Sequence, residues 1–265
     1  MITSTSNQQM KNLSALIKKS KERKEQGVFV VEGTKMVAEA PAEWIKNVYM
    51  SETYEKATSH QEFLHQLKQK GISLETVADH VFKSVSDTQT PQGILAIVEM
   101  PVYSLEQMIQ GDKTHLLILE SIQDPGNLGT MVRTGEGAGI TGIIMNKTTV
   151  DLFNPKTIRS TMGSIYRVPY YISENLEETL ETLKDQGVHL FAAHLKGTAS
   201  YDEADYTGST GFLIGNEGNG LSDAVADIAS KYIKIPMEGQ VESLNAAISA
   251  TLLMYEANRQ RRKKS

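Results

Sequence analysis

The sequence predicts an α/β protein that is divided into two domains. Short apolar runs of strand type alternate with helical segments in both halves of the 265-residue chain, a pattern typical of sheets covered by helices. Between the halves, Pro101 and the segment 101–113 interrupt this alternation, as Pro and Gly do between structural units. We therefore predict domains at residues 1–106 and 107–265.

The first half predicts a small α/β domain. A polar helix is expected over residues 5–24, and the β-rich runs that follow are bounded by turn residues, as strands are. Strands are predicted at 28–33, 47–51, 72–77 and 93–100, and helices at 34–40, 60–70 and 78–86.

The second half predicts a mainly parallel sheet, because its strands are continuous apolar runs such as HLLILES at 115–121, typical of strands buried on both faces. Further strands are predicted at 141–145, 188–194, 210–215 and 231–237 and in RVPYY, with helices at 128–138, 154–162, 175–186 and 243–261.

Composition excludes several kinds of function. The chain has no cysteine, which excludes a disulfide framework, a cysteine zinc site and a thiol nucleophile. Its six histidines are scattered, so we expect no metal site. No apolar run approaches the roughly 18 residues of a membrane span and no secretory leader pattern is present, so we expect a cytoplasmic protein.

Two basic clusters stand out against the formal net charge of −5. The first contains Lys18, Lys19, Lys21, Arg23 and Lys24, and the second contains Arg259, Arg261, Arg262, Lys263 and Lys264. Either cluster could contact phosphate, and either could equally be a solvated helix end.

The first motif with chemical potential is QDPGNLGTMVRTGEGAG at 123–139, directly after a predicted strand. Ligands of open α/β sheets bind at the carboxyl ends of strands. Asn127 is a candidate cap for the following helix, and Arg133 on that helix could hold a phosphate or polarise a hydroxyl. Taken alone, the motif is better explained as a plain cap and a surface arginine.

The second motif is LIGNEGNGLSDAV at 213–225, where three glycines fall between a strand and a helix. Glycine lets the backbone approach a ligand closely, although a tight turn explains the fragment equally well. Glu217 would repel phosphate and suits a ligand with hydroxyls or positive charge, such as ribose or a sulfonium.

The third motif, IPMEGQVESLN at 235–245, precedes the last predicted helix. Ser243 is a candidate N-cap for that helix. Small residues on its first two turns permit close packing or close approach of a ligand. Core packing explains the apolar face of this helix, but it does not explain the motif before it.

In this order and spacing, the three motifs resemble the SpoU/TrmH-type RNA 2′-O-methyltransferases of the SPOUT superfamily. The resemblance covers about residues 115–258, and the matched residues are Asn127, Leu128, Gly129 and Arg133, then Gly215, Glu217, Gly220 and Leu221, then Ile235, Pro236, Met237, Ser243, Leu244 and Asn245. One departure is Ala246-Ala247, where many members have Val-Ser.

FVVEGTKMVAEA at 29–40 and TPQGILAIV at 90–98 resemble, more loosely, the family's N-terminal substrate-binding domain, which is related to a ribosomal protein fold. The resemblance implies a smaller N-terminal α/β RNA-binding domain. It implies that the C-terminal domain is a SPOUT α/β-knot, a mainly parallel sheet with a deep trefoil knot.

The resemblance also implies S-adenosyl-L-methionine as the cofactor and transfer of its methyl group to a ribose 2′-hydroxyl. Cofactor binding is expected at Leu213, Gly215, Asn216, Gly220, Ile235, Met237 and Leu244. Catalytic roles are expected for Arg133, which is the principal residue, and for Asn127, Glu217, Ser243 and Asn245.

The family further implies a homodimer formed through the knotted domain, and an N-terminal domain that selects RNA through Lys18, Lys19, Lys21 and Arg23. Ribosomal RNA is the expected substrate, because a separate N-terminal domain is more typical of ribosomal-RNA members. A tRNA 2′-O-methyltransferase and a non-catalytic knotted RNA-binding protein remain alternatives.

Overall fold

The computed structural model describes residues 1–111 and 113–264, in two compact units. The first unit contains Met1–Val102 and Asp151–Tyr166, and the second contains Tyr103–Val150 and the residues from Arg167 onward. The two predicted domains were each continuous, whereas segment 151–166 here groups with the first unit. Asp112, in the predicted boundary segment, and Ser265 lie outside the described residues.

The first unit is built on a four-stranded sheet. Its elements are α1 (Gln8–Lys18), α2 (Ser20–Gln26), β1 (Val28–Glu32), α3 (Thr34–Glu39), β2 (Ile45–Ser51), α4 (Glu52–Lys56), α5 (Gln61–Gln69), β3 (Leu74–Val77), α6 (Asp79–Val85) and β4 (Ile94–Glu99). The strand order is β1-β4-β2-β3. β4 is antiparallel to both neighbours, and β2 and β3 are parallel, so this unit has the predicted α/β composition on a mixed sheet.

The polar helix predicted over 5–24 is two helices, because the chain is extended at Lys19. Arg23 explains the break. Its guanidinium donates to the carbonyls of Leu16 (2.6 Å) and Ile17 (3.1 Å), which belong to the last turn of α1, where no intrahelical donor is available. The chain must turn back after α1 to bring Arg23 over these carbonyls.

The structure therefore corrects the assignment of Arg23 to RNA binding. The residue is only 3% exposed, and its guanidinium forms an ion pair with Asp151 at 2.5 Å. Because every described contact of this guanidinium is to the protein interior, Arg23 stabilises the first unit and cannot reach a phosphate.

The second unit is built on a seven-stranded sheet. The elements from residue 103 onward are α7 (Leu105–Ile109), β5 (His115–Leu119), α8 (Pro125–Ala138), β6 (Gly142–Asn146), α9 (Pro155–Thr161, which groups with the first unit), β7 (Tyr170–Ser173), α10 (Leu176–Asp185), β8 (His189–Ala193), β9 (Ala199–Ser200), β10 (Thr210–Ile214), α11 (Asp223–Ala226), β11 (Lys231–Lys234) and α12 (Ala246–Lys264). The strand order is β7-β6-β5-β10-β8-β11-β9.

All neighbouring strands of this sheet are parallel, which confirms the predicted sheet type. β5 and β10 are buried along their whole length, as expected for strands covered by helices on both faces. Because parallel strands all end at the same edge, the loops after β5, β6, β8, β10 and β11 lie at one edge of the sheet.

The last helix, α12, packs on α8 and β10. A side chain at Gly137 of α8 would lie 2.7 Å from the Tyr255 hydroxyl, so glycine permits this close approach of the two helices. Thr251 donates to Thr134 at 2.9 Å, and Asn258 donates to the Ala138 carbonyl at 3.0 Å. These polar contacts set the register of α12 on α8.

Within the described residues, no helix combines the length and apolarity required to span a membrane.

Replacing Asp151 by Ala should lower the free energy of unfolding by about 3–5 kcal/mol, because the buried Arg23 guanidinium would keep its charge without its partner. Urea unfolding measures this loss. Glu25→Ala is the matched control: it removes the exposed Lys21–Glu25 pair, and exposed pairs contribute at most about 1 kcal/mol. A loss below about 1 kcal/mol in Asp151→Ala would contradict the structural role of this ion pair.

Candidate active site

The three motifs meet at the carboxyl edge of the parallel sheet. The first begins after β5, the second after β10 and the third after β11, and β5 and β10 are direct neighbours. This edge is where open α/β sheets bind ligands. α8 and α12 also begin here, so the N-termini of two helices lie beside the motifs.

In the first motif, the helix cap is Asp124 and not Asn127 as predicted. The Asp124 carboxylate accepts the Asn127 N–H at 2.8 Å, and Pro125 occupies the first helical position, where proline is favoured. Asn127 lies one turn into α8. Because Asp124 caps the helix, the Asn127 side chain is free for contacts with the other motifs.

Asn127 joins all three motifs through its side-chain amide. Its Nδ2 donates to Glu217 Oε1 of the second motif at 3.0 Å, and its Oδ1 accepts from Nδ2 of Asn245 in the third motif at 2.9 Å. Because a carboxylate only accepts hydrogen bonds, the Asn127 side-chain atom that faces Glu217 is the amide nitrogen. The structure thus brings together three of the five predicted catalytic residues.

The Glu217 carboxylate accepts two further hydrogen bonds, from the backbone N–H of Gln123 (3.0 Å) and of Asp124 (3.1 Å). Partial burial raises the pKa of Glu217, but the bonds from Asn127, Gln123 and Asp124 outweigh it and hold the pKa below its usual value. Glu217 is therefore an ionised anchor for the first motif.

In the third motif, the cap of α12 is Asn245 and not Ser243 as predicted. Asn245 Oδ1 accepts the N–H of Ala247 (2.9 Å) and of Ile248 (3.3 Å), and the helix begins at Ala246. Ser243 is exposed, and its hydroxyl makes no hydrogen bond within the described part of the chain. The structure leaves Ser243 outside the network.

Arg133 is exposed on α8. Its guanidinium forms no ion pair or hydrogen bond with any described residue. Five N–H donors in a planar fork are thus available to a ligand.

The second motif forms a closed turn. The backbone of Asn216 and Gly220 exchanges two hydrogen bonds (3.0 and 2.9 Å), and Asn216 Oδ1 accepts the N–H of Gly218 and Asn219. A side chain at Gly215 would lie 2.1 Å from the Gly220 carbonyl carbon. Glycine is therefore required at 215 for the turn to close against itself.

Leu213 does not lie at this surface. Its side chain is fully buried in the core of the second unit, and its backbone pairs with both β5 and β8. The expectation that Leu213 binds the cofactor is therefore corrected: it is a core residue of β10.

Backbone groups in the second and third motifs fit a polar ligand. Gly215, Ile235, Met237 and Leu244 are half-buried. Apart from hydrogen bonds within the sheets, their backbone N–H and C=O groups have no backbone partner among the described residues. Backbone N–H and C=O groups without protein partners are open to a ligand or to water. A ligand held by these groups needs no charged side chain, which agrees with the composition of the motifs.

No group of three histidine, aspartate or glutamate side chains that could hold a metal ion occurs among the described residues.

Sequence reasoning missed three groups that the network uses: the Asp124 carboxylate as a cap, and the Gln123 and Asp124 amides as donors to Glu217. The Asp-Pro pair at 124–125 was a usable signal, because an acidic cap followed by proline at the first helical position is a known helix start. No sequence signal pointed to the donation from Gln123 and Asp124, since backbone donors carry no side-chain pattern.

Comparison with known proteins identifies the family. Residues 114–255 match the SpoU rRNA Methylase family, and residues 7–96 match the MRM3-like substrate binding domain. The chain belongs to the SpoU rRNA methylase family. It is also 34% identical, over 96% of its own length and 97% of the relative's, to the 23S rRNA (guanosine(2553)-2′-O)-methyltransferase of Bacillus subtilis.

Two solved structures resemble this chain to different extents. An AdoMet-bound rRNA methyltransferase from Sinorhizobium meliloti matches with a TM-score of 0.87 and 31% identity, over 97% of each chain. The TrmH/SpoU tRNA-modifying enzyme of A. aeolicus matches with a TM-score of 0.52 and 28% identity, over 60% of this chain and 82% of that one. The similarity to the Sinorhizobium meliloti structure extends over both units of this SpoU protein.

The cap assignment in the third motif is testable. Asn245→Ala should lower the free energy of unfolding by about 1 kcal/mol, because α12 loses its N-cap. Ser243→Ala is the matched control and should change it by less than about 0.5 kcal/mol. Thermal or urea unfolding of both variants decides between them, and a larger loss for Ser243→Ala would restore Ser243 as the cap.

Proposed function

We propose that this SpoU protein transfers the methyl group of S-adenosyl-L-methionine to a ribose 2′-hydroxyl of 23S ribosomal RNA. The observation that carries the proposal is the network of Asn127, Glu217 and Asn245, which lies at the same sheet edge as the half-buried, unpartnered backbone groups. Family membership and the likeness to an AdoMet-bound rRNA methyltransferase support the cofactor.

Ribosomal RNA is favoured over transfer RNA by the extent of the likenesses. The 23S rRNA enzyme of Bacillus subtilis aligns over 96% of this chain, and thus over both units. The tRNA-modifying enzyme of A. aeolicus covers 60%. The match of residues 7–96 to a substrate binding domain gives the first unit a role in choosing the RNA.

The cofactor, when bound, supplies a methyl group made electrophilic by its sulfonium. The backbone groups of Gly215, Ile235, Met237 and Leu244 would hold it. Asn216 and Gly220 keep the loop of Gly215 closed through their paired backbone bonds. The protein contributes position and a preformed polar surface, which lower the barrier to displacement by removing the entropy of alignment.

Arg133 is assigned to the reacting hydroxyl. In the proposed reaction the sulfonium methyl would pass to the ribose O2′, the cofactor would leave as the neutral thioether S-adenosylhomocysteine, and the hydroxyl proton would pass to water. A guanidinium does not act as the base, because it stays protonated. Arg133 instead stabilises negative charge as it develops on O2′ and orients a neighbouring phosphate. Asn127, Glu217 and Asn245 are proposed to shape the polar surface at the sheet edge, and Ser243 is the further polar residue proposed there.

Arg133→Ala should retain cofactor binding and lose methyl transfer, because it removes the donors that stabilise the developing oxyanion. We expect the single-turnover rate to fall by about 100-fold or more, with the Kd for S-adenosylmethionine by calorimetry essentially unchanged. Arg133→Lys keeps the charge without the planar fork and should give an intermediate rate.

Turnover like that of the wild type in Arg133→Ala would sink the assignment of this residue. The same assay addresses the non-catalytic alternative: wild-type protein that binds RNA and cofactor but transfers no methyl group would favour an RNA-binding role.

Lys18, Lys19 and Lys21 are proposed to bind RNA phosphate. All three are exposed in the first unit, near the junction of α1 and α2. Lys21 pairs with Glu25 at 3.6 Å on the surface, and an exposed pair of this kind exchanges readily for a phosphate. Arg259 and Arg261 of the second basic cluster bond to Glu256 and to backbone carbonyls, so the first cluster is the better candidate.

Replacing Lys18, Lys19 and Lys21 by Glu should weaken RNA binding by about tenfold or more and flatten its dependence on salt, because fewer counterions are released. Electrophoretic mobility shift or fluorescence anisotropy at several salt concentrations measures both effects. The cofactor Kd should not change.

The matched control is the triple replacement of Lys68, Lys70 and Lys83 by Glu, which reverses the same number of exposed charges elsewhere in the first unit. Equal weakening of RNA binding by both triple variants would mean that only net charge matters. That result would contradict a defined RNA-binding surface.

We also propose a cytoplasmic homodimer formed through the second unit. Ile248 and Tyr255 on α12 are 50% and 45% exposed and lie two turns apart on one helix face, where a second copy would cover them. Light scattering that gives the mass of one chain at micromolar concentration would contradict the dimer.

A further inference from the structure

Ser121 is held in a conformation that serine rarely adopts. It follows β5 with a φ of +58°, in the left-handed region, which disfavours residues with a Cβ. A non-glycine residue stays there only when its surroundings hold it. The residue is half-buried at the carboxyl edge of the sheet, one residue before Ile122 and two before Gln123.

Asn146, the last residue of β6, provides that support. Its Oδ1 accepts the Ser121 N–H at 2.9 Å, and its Nδ2 donates to the Ser121 hydroxyl at 3.1 Å. The Thr149 hydroxyl also donates to Asn146 Oδ1 at 2.9 Å, and the Ser121 and Thr148 hydroxyls lie 2.6 Å apart. Asn146 thus forms hydrogen bonds with both the backbone and the side chain of Ser121.

The Ser121 carbonyl, oriented by this conformation, accepts from the loop after β10 and from a residue of its own loop. Nδ2 of Asn216 donates to it at 2.9 Å, and Nε2 of Gln123 donates at 3.0 Å. Gln123 Nε2 also donates to the Thr148 carbonyl at 2.9 Å. The polar network therefore links the ends of β5, β6 and β10 through one strained residue.

The backbone that leaves this turn reaches the proposed active site within three residues. The N–H groups of Gln123 and Asp124 donate to the two oxygens of Glu217, and Glu217 in turn accepts from Asn127. Asn146 makes no hydrogen bond to Asn127 or Glu217 within the described part of the chain. The direct route from Asn146 to these residues runs through its two bonds to Ser121.

We propose that Asn146 is a positioning residue for methyl transfer. It holds Ser121 in the left-handed region, which aligns the Gln123 and Asp124 amides with Glu217. Through Glu217 it also positions the Asn127 side chain. This inference rests on the proposed function. The turn of the second motif keeps its own bonds between Asn216 and Gly220, so Asn146 acts on the rate more than on cofactor binding.

In Asn146→Ala, the single-turnover rate at saturating S-adenosylmethionine should fall about tenfold, equivalent to about 1.4 kcal/mol. The cofactor Kd by calorimetry should change by less than about threefold, because the closed turn needs no bond from Asn146. Asn146→Asp should stay within about twofold of the wild-type rate, since a carboxylate oxygen still accepts the Ser121 N–H.

The double variant Asn146→Ala with Ser121→Gly provides a rescue. Glycine adopts the left-handed conformation without the cost that serine bears, so the double variant should recover most of the lost rate. Lys147→Ala is the matched control: it removes the exposed pair with Glu174 next along the chain and should leave the rate unchanged.

Hydrogen–deuterium exchange tests the same inference without any reaction. Amide exchange in the peptide containing Gln123 and Asp124 should become faster by about tenfold in Asn146→Ala, and should stay at the wild-type rate in Asn146→Asp. If Asn146→Ala does not fold, Asn146→Ser, whose shorter side chain cannot span the same contacts, replaces it.

Unchanged exchange at Gln123 and Asp124 in Asn146→Ala would overturn the proposal, whatever the enzyme does. A rate loss that Ser121→Gly fails to restore, or an equal loss in Asn146→Asp, would also overturn it. A wild-type protein that transfers no methyl group to RNA would instead contradict the proposed function, while the exchange experiment would still decide the role of Asn146.

Discussion

The Glu217 carboxylate joins loops that are far apart in sequence, and the geometry of the proposed active site depends on this one acceptor. It receives the amides of Gln123 and Asp124 and the side chain of Asn127, and Asn127 in turn receives Asn245. A charged acceptor strengthens each of these bonds.

The same region uses the N-termini of two helices in different ways. Asp124 caps α8 and leaves the Asn127 side chain to bond within the network, whereas at α12 the cap is the network residue Asn245 itself. Asn245 combines two tasks, since its Oδ1 caps the helix while its Nδ2 holds Asn127. One side chain therefore both caps α12 and holds a residue of the proposed site.

The first unit uses charge differently. One member of its basic cluster, Arg23, is buried against Asp151 and the carbonyls that end α1, whereas Lys18, Lys19 and Lys21 are exposed. A buried guanidinium that bonds to helix-terminal carbonyls fixes the turn between α1 and α2. The turn therefore fixes the backbone that carries these lysines, while their charged groups remain exposed to solvent.

The sequence by itself determined the α/β class, the parallel sheet of the second half and the order of the three motifs, because apolar periodicity and glycine placement are local properties of the chain. The family resemblance of its motifs also predicted Asn127, Glu217 and Asn245 as site residues, and the structure joins their side chains by hydrogen bonds. Only the tertiary structure decided which residues cap α8 and α12, that Arg23 and Leu213 are buried, and that Ser121 and Asn146 support the site. These features depend on hydrogen bonds between residues up to 128 positions apart, as between Arg23 and Asp151, and on backbone amides and carbonyls, which every residue type carries and no sequence pattern distinguishes.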